Sequence, residues 1–329
     1  MTDDWLIFTG TGEVHDGIER LPEPPPWRRF SGDPVAEFDR TPATPHGHRR
    51  TALATTYQAD PDTIDLVNTA LYLRRPLLVT GEPGVGKSTL AYAVAHELRL
   101  GSVLRWPITS RSTLRDGLYR YDAIGRVEDA STGDAADSHL GRYLRLGPLG
   151  TALVPYPFPR VLLIDEIDKS DFDFPNDLLN IFEEGEYEIP ELARIADTTP
   201  EVSLQPADNG PKVRVSNGHV ACLQFPLIIM TSNQEREFPS AFLRRCVRLD
   251  LPSPDRDRLS AIVTAHLGAD RAETNEDLIT SFLSRRETGE MATDQLLNAV
   301  YLLDKASAKD RGAREHLAGL ILRQLNSTA

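Results

Sequence analysis

The chain has 329 residues, 40% hydrophobic and 26% charged, a globular balance long enough for one large or two medium domains with packed cores. Its net charge of −13 and pI near 5.1 argue against a broad electrostatic grip on nucleic acid, which needs many phosphates neutralised. Two cysteines, Cys222 and Cys246, make neither a disulfide framework nor a metal-ligand spacing, and read as packing residues in a reducing compartment.

The opening "MTDDWLIFTGTGEVHD" carries acids where a signal peptide needs Lys or Arg, so export is not expected and a cytoplasmic protein is. No apolar run approaches the roughly eighteen residues of a membrane span. Residues 1–50 hold the proline-rich stretches "LPEPPPWRRFSGDP" and "RTPATPHGHRR" without helical or strand period. They read as an extension that Trp5, Phe8, Trp27 and Phe30 anchor to the body or to a partner. From Asp60, a helix cap, and Pro61, a first helical residue, Ile64, Val67, Ala70 and Leu71 fall at helical spacing, and that helix is expected to end near Arg75.

"PLLVT" then reads as a strand buried on both faces, followed by "GEPGVGKSTLAYAVAHELRLG", a glycine loop and a helix with Leu90, Val94 and Leu98 on one stripe and a stop at Gly101. "SVLRWPI", "PRVLLIDEID" and "FPLIIMTSN" are three further strands with helical segments between them. Such alternation predicts an α/β fold with a parallel sheet sandwiched by helices. "RWPITSRSTLRDGLYR" sets Arg105, Arg111, Arg115 and Arg120 against Asp116, and reads as a solvated face rather than a basic groove. In "KVRVSNGHVAC", Asn217-Gly218 predicts a type I′ hairpin with Val215 opposite Val220 and Val213 opposite Cys222. Past "LPSPD" only amphipathic stretches remain. The expected organisation is an extension at 1–50, an α/β domain at 51–252 with inserts near 107–146 and 190–222, and a helical lid at 253–329 hinged at Pro252 and Pro254.

"GEPGVGKS" matches G-x-x-x-x-G-K-[ST] between a buried strand and a helix. Gly81, Glu82, Pro83, Gly84, Val85 and Gly86 curl the backbone N–H groups toward phosphate, and the helix opening at Lys87, Ser88 and Thr89 adds its positive end. Lys87 is expected on the β- and γ-phosphates of ATP, and Ser88 in the shell of Mg2+. In "VLLIDE", four apolar residues deliver Asp165, the second expected Mg2+ ligand, and Glu166, which polarises the attacking water. Asp168 and Lys169 read as helix-start and surface residues. Asn233, at the end of "IIMTSN", is placed to hold a water between acid and γ-phosphate.

These motifs, in this order, resemble the layout of AAA+ ATPases. "RRPLLVTGEPGVGKS", Gly147-Pro148 of "RLGPLGTALVPYPFPRVLLIDEID" and "FPNDLLNIFEEGEYEI" are similar to the MoxR branch, over roughly residues 55–305. The resemblance implies a P-loop NTPase that forms a homo-oligomeric ring, six-membered, and remodels or activates a protein partner such as a von Willebrand-type domain protein. It also implies an arginine finger in "SAFLRRCVRLDLPSPD", where Arg245 is favoured over Arg244 by likeness to the S-R-C finger of clamp loaders. The lid lacks the usual Pro-Arg sensor context at Met291-Ala292, leaving Arg285 or Arg286 to substitute, with Arg286 ranked first. Two other readings stand beside this one: a nucleotide-driven motor of a restriction or defence complex acting on nucleic acid, and a nucleotide-gated scaffold with little turnover.

Overall fold

A computed structural model describes residues 5–34, 40, 54–131, 140–286 and 293–305. The second proline-rich stretch, the polar segment 132–139, Met291-Ala292 and the last amphipathic stretch lie outside them.

Five parallel strands form the central sheet: β1 (Leu77–Thr80), β2 (Leu104–Pro107), β5 (Val161–Asp165), β10 (Leu227–Ser232) and β11 (Val247–Asp250), in the order β11-β1-β10-β5-β2. Helices Pro61–Leu73, Lys87–Glu97, Pro148–Ala152 and Phe174–Glu184 are among those that flank it, so the sequence expectation of an α/β sandwich is met. Side chains alternate between faces, as a sheet covered on both sides requires. Leu78, Leu162, Ile164, Ile228 and Met230 join one buried cluster, while Leu77, Val79, Val161, Leu163, Leu227 and Ile229 join the other. The fifth strand, β11, falls in "RRCVRLDLPSPD", where the sequence reading places no strand. It is an edge strand of four residues in which only Leu249 is buried, too little periodicity to register.

The first helix starts as expected: Asp60 accepts from the Thr63 N–H and Pro61 is the first residue. The next ends at Glu97, and both Arg99, φ 53°, and the expected stop Gly101, φ 72°, take positive φ just past it. The region near 107–146 forms a short antiparallel pair, β3 (Tyr119–Tyr121) with β4 (Leu144–Leu146), carrying the helix Ala123–Ser131 between its strands. The region near 190–222 contributes to a four-stranded sheet, β6 (Glu186–Glu188), β9 (His219–Ala221), β8 (Val213–Ser216) and β7 (Glu201–Leu204), in that spatial order. Asn217 and Gly218 both take positive φ, 54° and 71°, and Ser216 pairs with His219. Both cysteines are free, and burial pushes each thiol up to about 12, consistent with packing residues.

The N-terminal segment is bound tightly to the α/β body. Phe8 is fully buried and Phe30 stacks on Phe225, whereas Trp27 is 75% exposed. Arg28 is the buried anchor beside Trp27. Its guanidinium donates to the carbonyls of Arg74, Phe182 and Glu183 and lies over the rings of Phe30 and Phe225. Asn68 accepts from the N–H groups of Ile7 and Phe8. Glu97 is 0% exposed and receives the N–H groups of Thr9, Gly10 and Gly12 and the Thr9 hydroxyl. After the sheet, helices Arg256–Leu267, Ala269–Thr274, Glu276–Arg286 and Thr293–Lys305 close on a separate core centred on Leu259, Val263, Phe282 and Val300. Arg258 ties that unit back to Asp60 at 3.0 Å.

Removing the Glu97 carboxylate orphans several buried donors at once. Glu97→Ala is expected to lose about 2–4 kcal/mol of stability in denaturant unfolding and to make Arg20 an early tryptic site. A variant as resistant and as stable as the parent would contradict that role.

Candidate active site

Four elements converge at the C-terminal edge of the parallel sheet, beside β1, where the strand order reverses and ligands of open α/β sheets bind. The loop after β1 supplies the first. Gly81 takes φ 142°, and a Cβ there would meet the Leu251 carbonyl at 2.6 Å. Gly86, φ 98°, caps the helix Lys87–Glu97, so that helix opens with its free N–H groups at the loop. The Lys87 ammonium turns back onto the loop, donating to the carbonyls of Gly81 at 2.7 Å and Glu82 at 2.8 Å, and to Asn233 Oδ1 at 2.7 Å. Burial lowers its pKa, against the pull of Asp168, Glu166 and Asp165. Lys87 and Asn233 are therefore in direct contact, a meeting that the sequence reading, which set Asn233 between the acid and the γ-phosphate, does not contain.

Asp165, the last residue of β5, is the hub. Its Oδ1 accepts from Ser88 Oγ at 2.6 Å and from Thr231 Oγ1 at 2.9 Å. Its Oδ2 accepts from Arg105 Nη2 at 2.6 Å and Nε at 3.1 Å. Burial works to raise this carboxyl, but the hydrogen bonds from Ser88, Arg105 and Thr231 outweigh it and hold Asp165 below the usual range. Glu166 follows in the left-handed region, φ 60° and ψ 53°, a conformation that a non-glycine residue keeps only where its surroundings fix it. Its N–H is held by Thr231 Oγ1 at 2.9 Å, and its carboxylate receives Lys169 Nζ at 2.8 Å.

Asp168 corrects the sequence reading. It does lie in the first turn of the short 3-10 helix Ile167–Lys169, but it is buried, 5% exposed, and not at the surface. Its Oδ2 accepts from Ser232 Oγ at 3.0 Å and from the N–H groups of Asn233 at 2.8 Å and Glu235 at 3.3 Å. It thus sets the turn that aims Asn233 at Lys87. Lys169 does face solvent. Arg105 is exposed, as the solvated-face reading expects, but it is also an Asp165 partner, which that reading does not contain, while Arg115 pairs with Glu191 at 2.7 Å.

Of the two candidate fingers, Arg245 donates from Nε to Glu183 Oε1 at 2.6 Å, and the other Glu183 oxygen lies 3.4 Å from Arg28. Arg244 is exposed, with its carbonyl accepting from Arg75. Arg286 lies over the ring of Phe282 on its own helix; among the described residues it makes no contact with the glycine loop. Sequence reasoning named no residue for a nucleoside base. The structure sets the Tyr57 ring against Gly86, its hydroxyl buried without a hydrogen-bond partner among the described residues. The chain after β11 approaches this loop region through His266 with Thr56 at 3.2 Å and through Ser253 with Glu82. No periodicity around Tyr57 signals this.

The donor set fits a nucleoside triphosphate with a hard divalent cation. The glycine loop and helix opening suit phosphate, and one hydroxyl beside one carboxylate suits Mg2+, which keeps waters and takes its remaining ligands from phosphate oxygens. The fold and this site define a P-loop NTPase. The model of the AAA domain, dynein-related subfamily, matches residues 76–246, just over half of the chain, and the protein belongs to that family of AAA+ ATPases. No curated protein matches it. No helix of the described residues is long and apolar enough to cross a membrane.

Asp168→Ala removes the acceptor for three donors that shape the Asn233 turn. Hydrolysis is expected to fall at least about tenfold, while ATP affinity measured in a hydrolysis-blocked background changes little. Equal turnover with and without the carboxylate would refute the positioning role.

Proposed function

We propose that the chain is a Mg2+-dependent ATPase of the MoxR type that works as a six-membered ring and uses hydrolysis to remodel a protein partner. The observation that carries this reading is the meeting of Ser88, Asp165, Thr231 and Glu166 on one side of the glycine loop with Lys87 and Asn233 on the other. The glycine loop and the N-terminus of the helix Lys87–Glu97 bind the triphosphate. Lys87 leaves its loop carbonyls for the β- and γ-phosphates, whose oxygens are stronger acceptors for an ammonium than neutral carbonyls. Ser88 and Asp165 would hold Mg2+, which would supply positive charge to offset that of the triphosphate.

Glu166 polarises a water that attacks the γ-phosphorus. Its backbone, pinned through Thr231, fixes where the carboxylate starts, and the screened contact with Lys169 is weak enough to yield to that water. Asn233 orients the water, held in place by Asp168. As the new P–O bond forms, the bond to the bridging oxygen breaks and ADP and phosphate separate. Chain arrangement supports a trans role for Arg245: its ion pair with Glu183 joins two side chains that are each about 40% exposed, 39% and 42%. Such a pair holds the guanidinium cheaply and releases it to a neighbouring subunit's γ-phosphate. Arg244 is a second reading for the finger, favoured by its exposure. Members of the AAA family are typically oligomeric, and the likeness to MoxR proteins extends the reading to a partner carrying a von Willebrand-type domain.

Steady-state ATPase assays test the proposal. Lys87→Ala and Glu166→Gln should each lose activity by about a hundredfold or more, and wild-type rates in both would end it. Arg245→Ala should lose hydrolysis yet bind ATP, and regain activity when doped with Lys87→Ala subunits that supply intact fingers. Rescue of Arg244→Ala instead would move the finger by one residue.

A further inference from the structure

Asp165 already holds a cation where Mg2+ is expected. Arg105 meets Oδ2 at two points, 2.6 Å and 3.1 Å, while Ser88 and Thr231 occupy Oδ1. Among the described residues it is the one positive side chain paired with Asp165, since Lys87 points instead at the loop carbonyls and Asn233. The register explains the reach. β2 pairs Pro107 with Asp165, so Arg105, two residues earlier on the same face, extends along the strand to the carboxylate. β2 is the last strand of the sheet, and the Arg105 side chain is 40% exposed against 10% for Asp165. The carboxylate is thus fixed and the guanidinium is free to leave.

A carboxylate this buried needs a counter-charge before any metal arrives. A divalent cation on the same oxygens repels a guanidinium a few ångströms away. The two cannot share Asp165 on equal terms.

We propose that Arg105 is the positioning residue of the metal site, a resident counter-ion that keeps Asp165 oriented and compatible with phosphate before metal binds, and that yields when Mg2+ enters with the nucleotide. The proposal rests on the reading of Asp165 as a Mg2+ ligand. Its consequence concerns metal dependence. With Arg105 in place, a triphosphate meets a neutralised carboxylate even without metal, and Mg2+ must displace a guanidinium. Without Arg105, metal-free nucleotide faces a bare negative charge, and Mg2+ meets no competitor.

The test is equilibrium binding of a fluorescent ATP analogue to the full chain, in EDTA and across a Mg2+ titration. Arg105→Met keeps an unbranched apolar stem and loses the guanidinium and its charge. It should weaken metal-free binding and lower the Mg2+ concentration at half-saturation, each by about fivefold, the scale of one partly exposed bidentate pair. Arg105→Lys, which keeps the charge but not the two-point grip, should shift both in the same direction by less, and serves if the methionine variant folds poorly. Adding Asp165→Asn to Arg105→Met should restore metal-free binding. An unchanged Mg2+ dependence in both single variants overturns the proposal, as does equal weakening with and without metal, which would mean a direct phosphate contact. A wild-type chain that binds the analogue with no Mg2+ dependence would instead remove the metal-site reading itself.

Discussion

One threonine hydroxyl joins the two strands on which the site depends. Thr231 Oγ1 donates to Asp165 and accepts the N–H of Glu166, so a residue of β10 fixes both acids at the exit of β5. The parallel pairing of these strands, which matches Met230 with Ile164, carries the hydroxyl to that position. Asp168 ties the strands a second time, from the β5 side to the turn after β10. Acids, asparagine and lysine are then mutually positioned before a ligand arrives, as electrostatic preorganisation requires.

The candidate phosphate-binding half of the site is legible in the sequence because its residues are contiguous. A glycine loop, its lysine and its serine fall within eight residues, and the buried run before them and the apolar stripe after them name the strand and helix. The acids at the end of "VLLIDE" are legible for the same reason. Thr231, Asp168 and Arg105 were not, because each acts across about sixty residues: 66 to Asp165, 64 to Ser232 and 60 to Asp165. Strand order decides those meetings, and no local pattern in "LRWPI" or "IDEIDK" states it. β11 escaped notice for a different reason, being a short edge with a single buried side chain.

The arginine pair shows how structure refines such a reading. Sequence order alone puts Arg244 and Arg245 past the fourth core strand with no duty in their own phosphate site. The fold separates them, tying Arg245 to the end of the helix Phe174–Glu184 and leaving Arg244 at the surface. That helix begins a few residues after the 3-10 helix Ile167–Lys169 that carries Asp168, so the candidate acids and the candidate finger are linked through one short stretch of chain.

The way the N-terminal segment is bound sets a boundary for the folding unit that differs from the boundary of the family match. A chain trimmed to begin at the helix Pro61–Leu73 would retain each candidate phosphate-site residue. It would nonetheless leave Glu97 buried without its backbone donors, Asn68 without Ile7 and Phe8, and the Phe182 and Arg74 carbonyls without Arg28. The candidate site and the packing that supports it therefore span different lengths of the same polypeptide, and the extension belongs to the second.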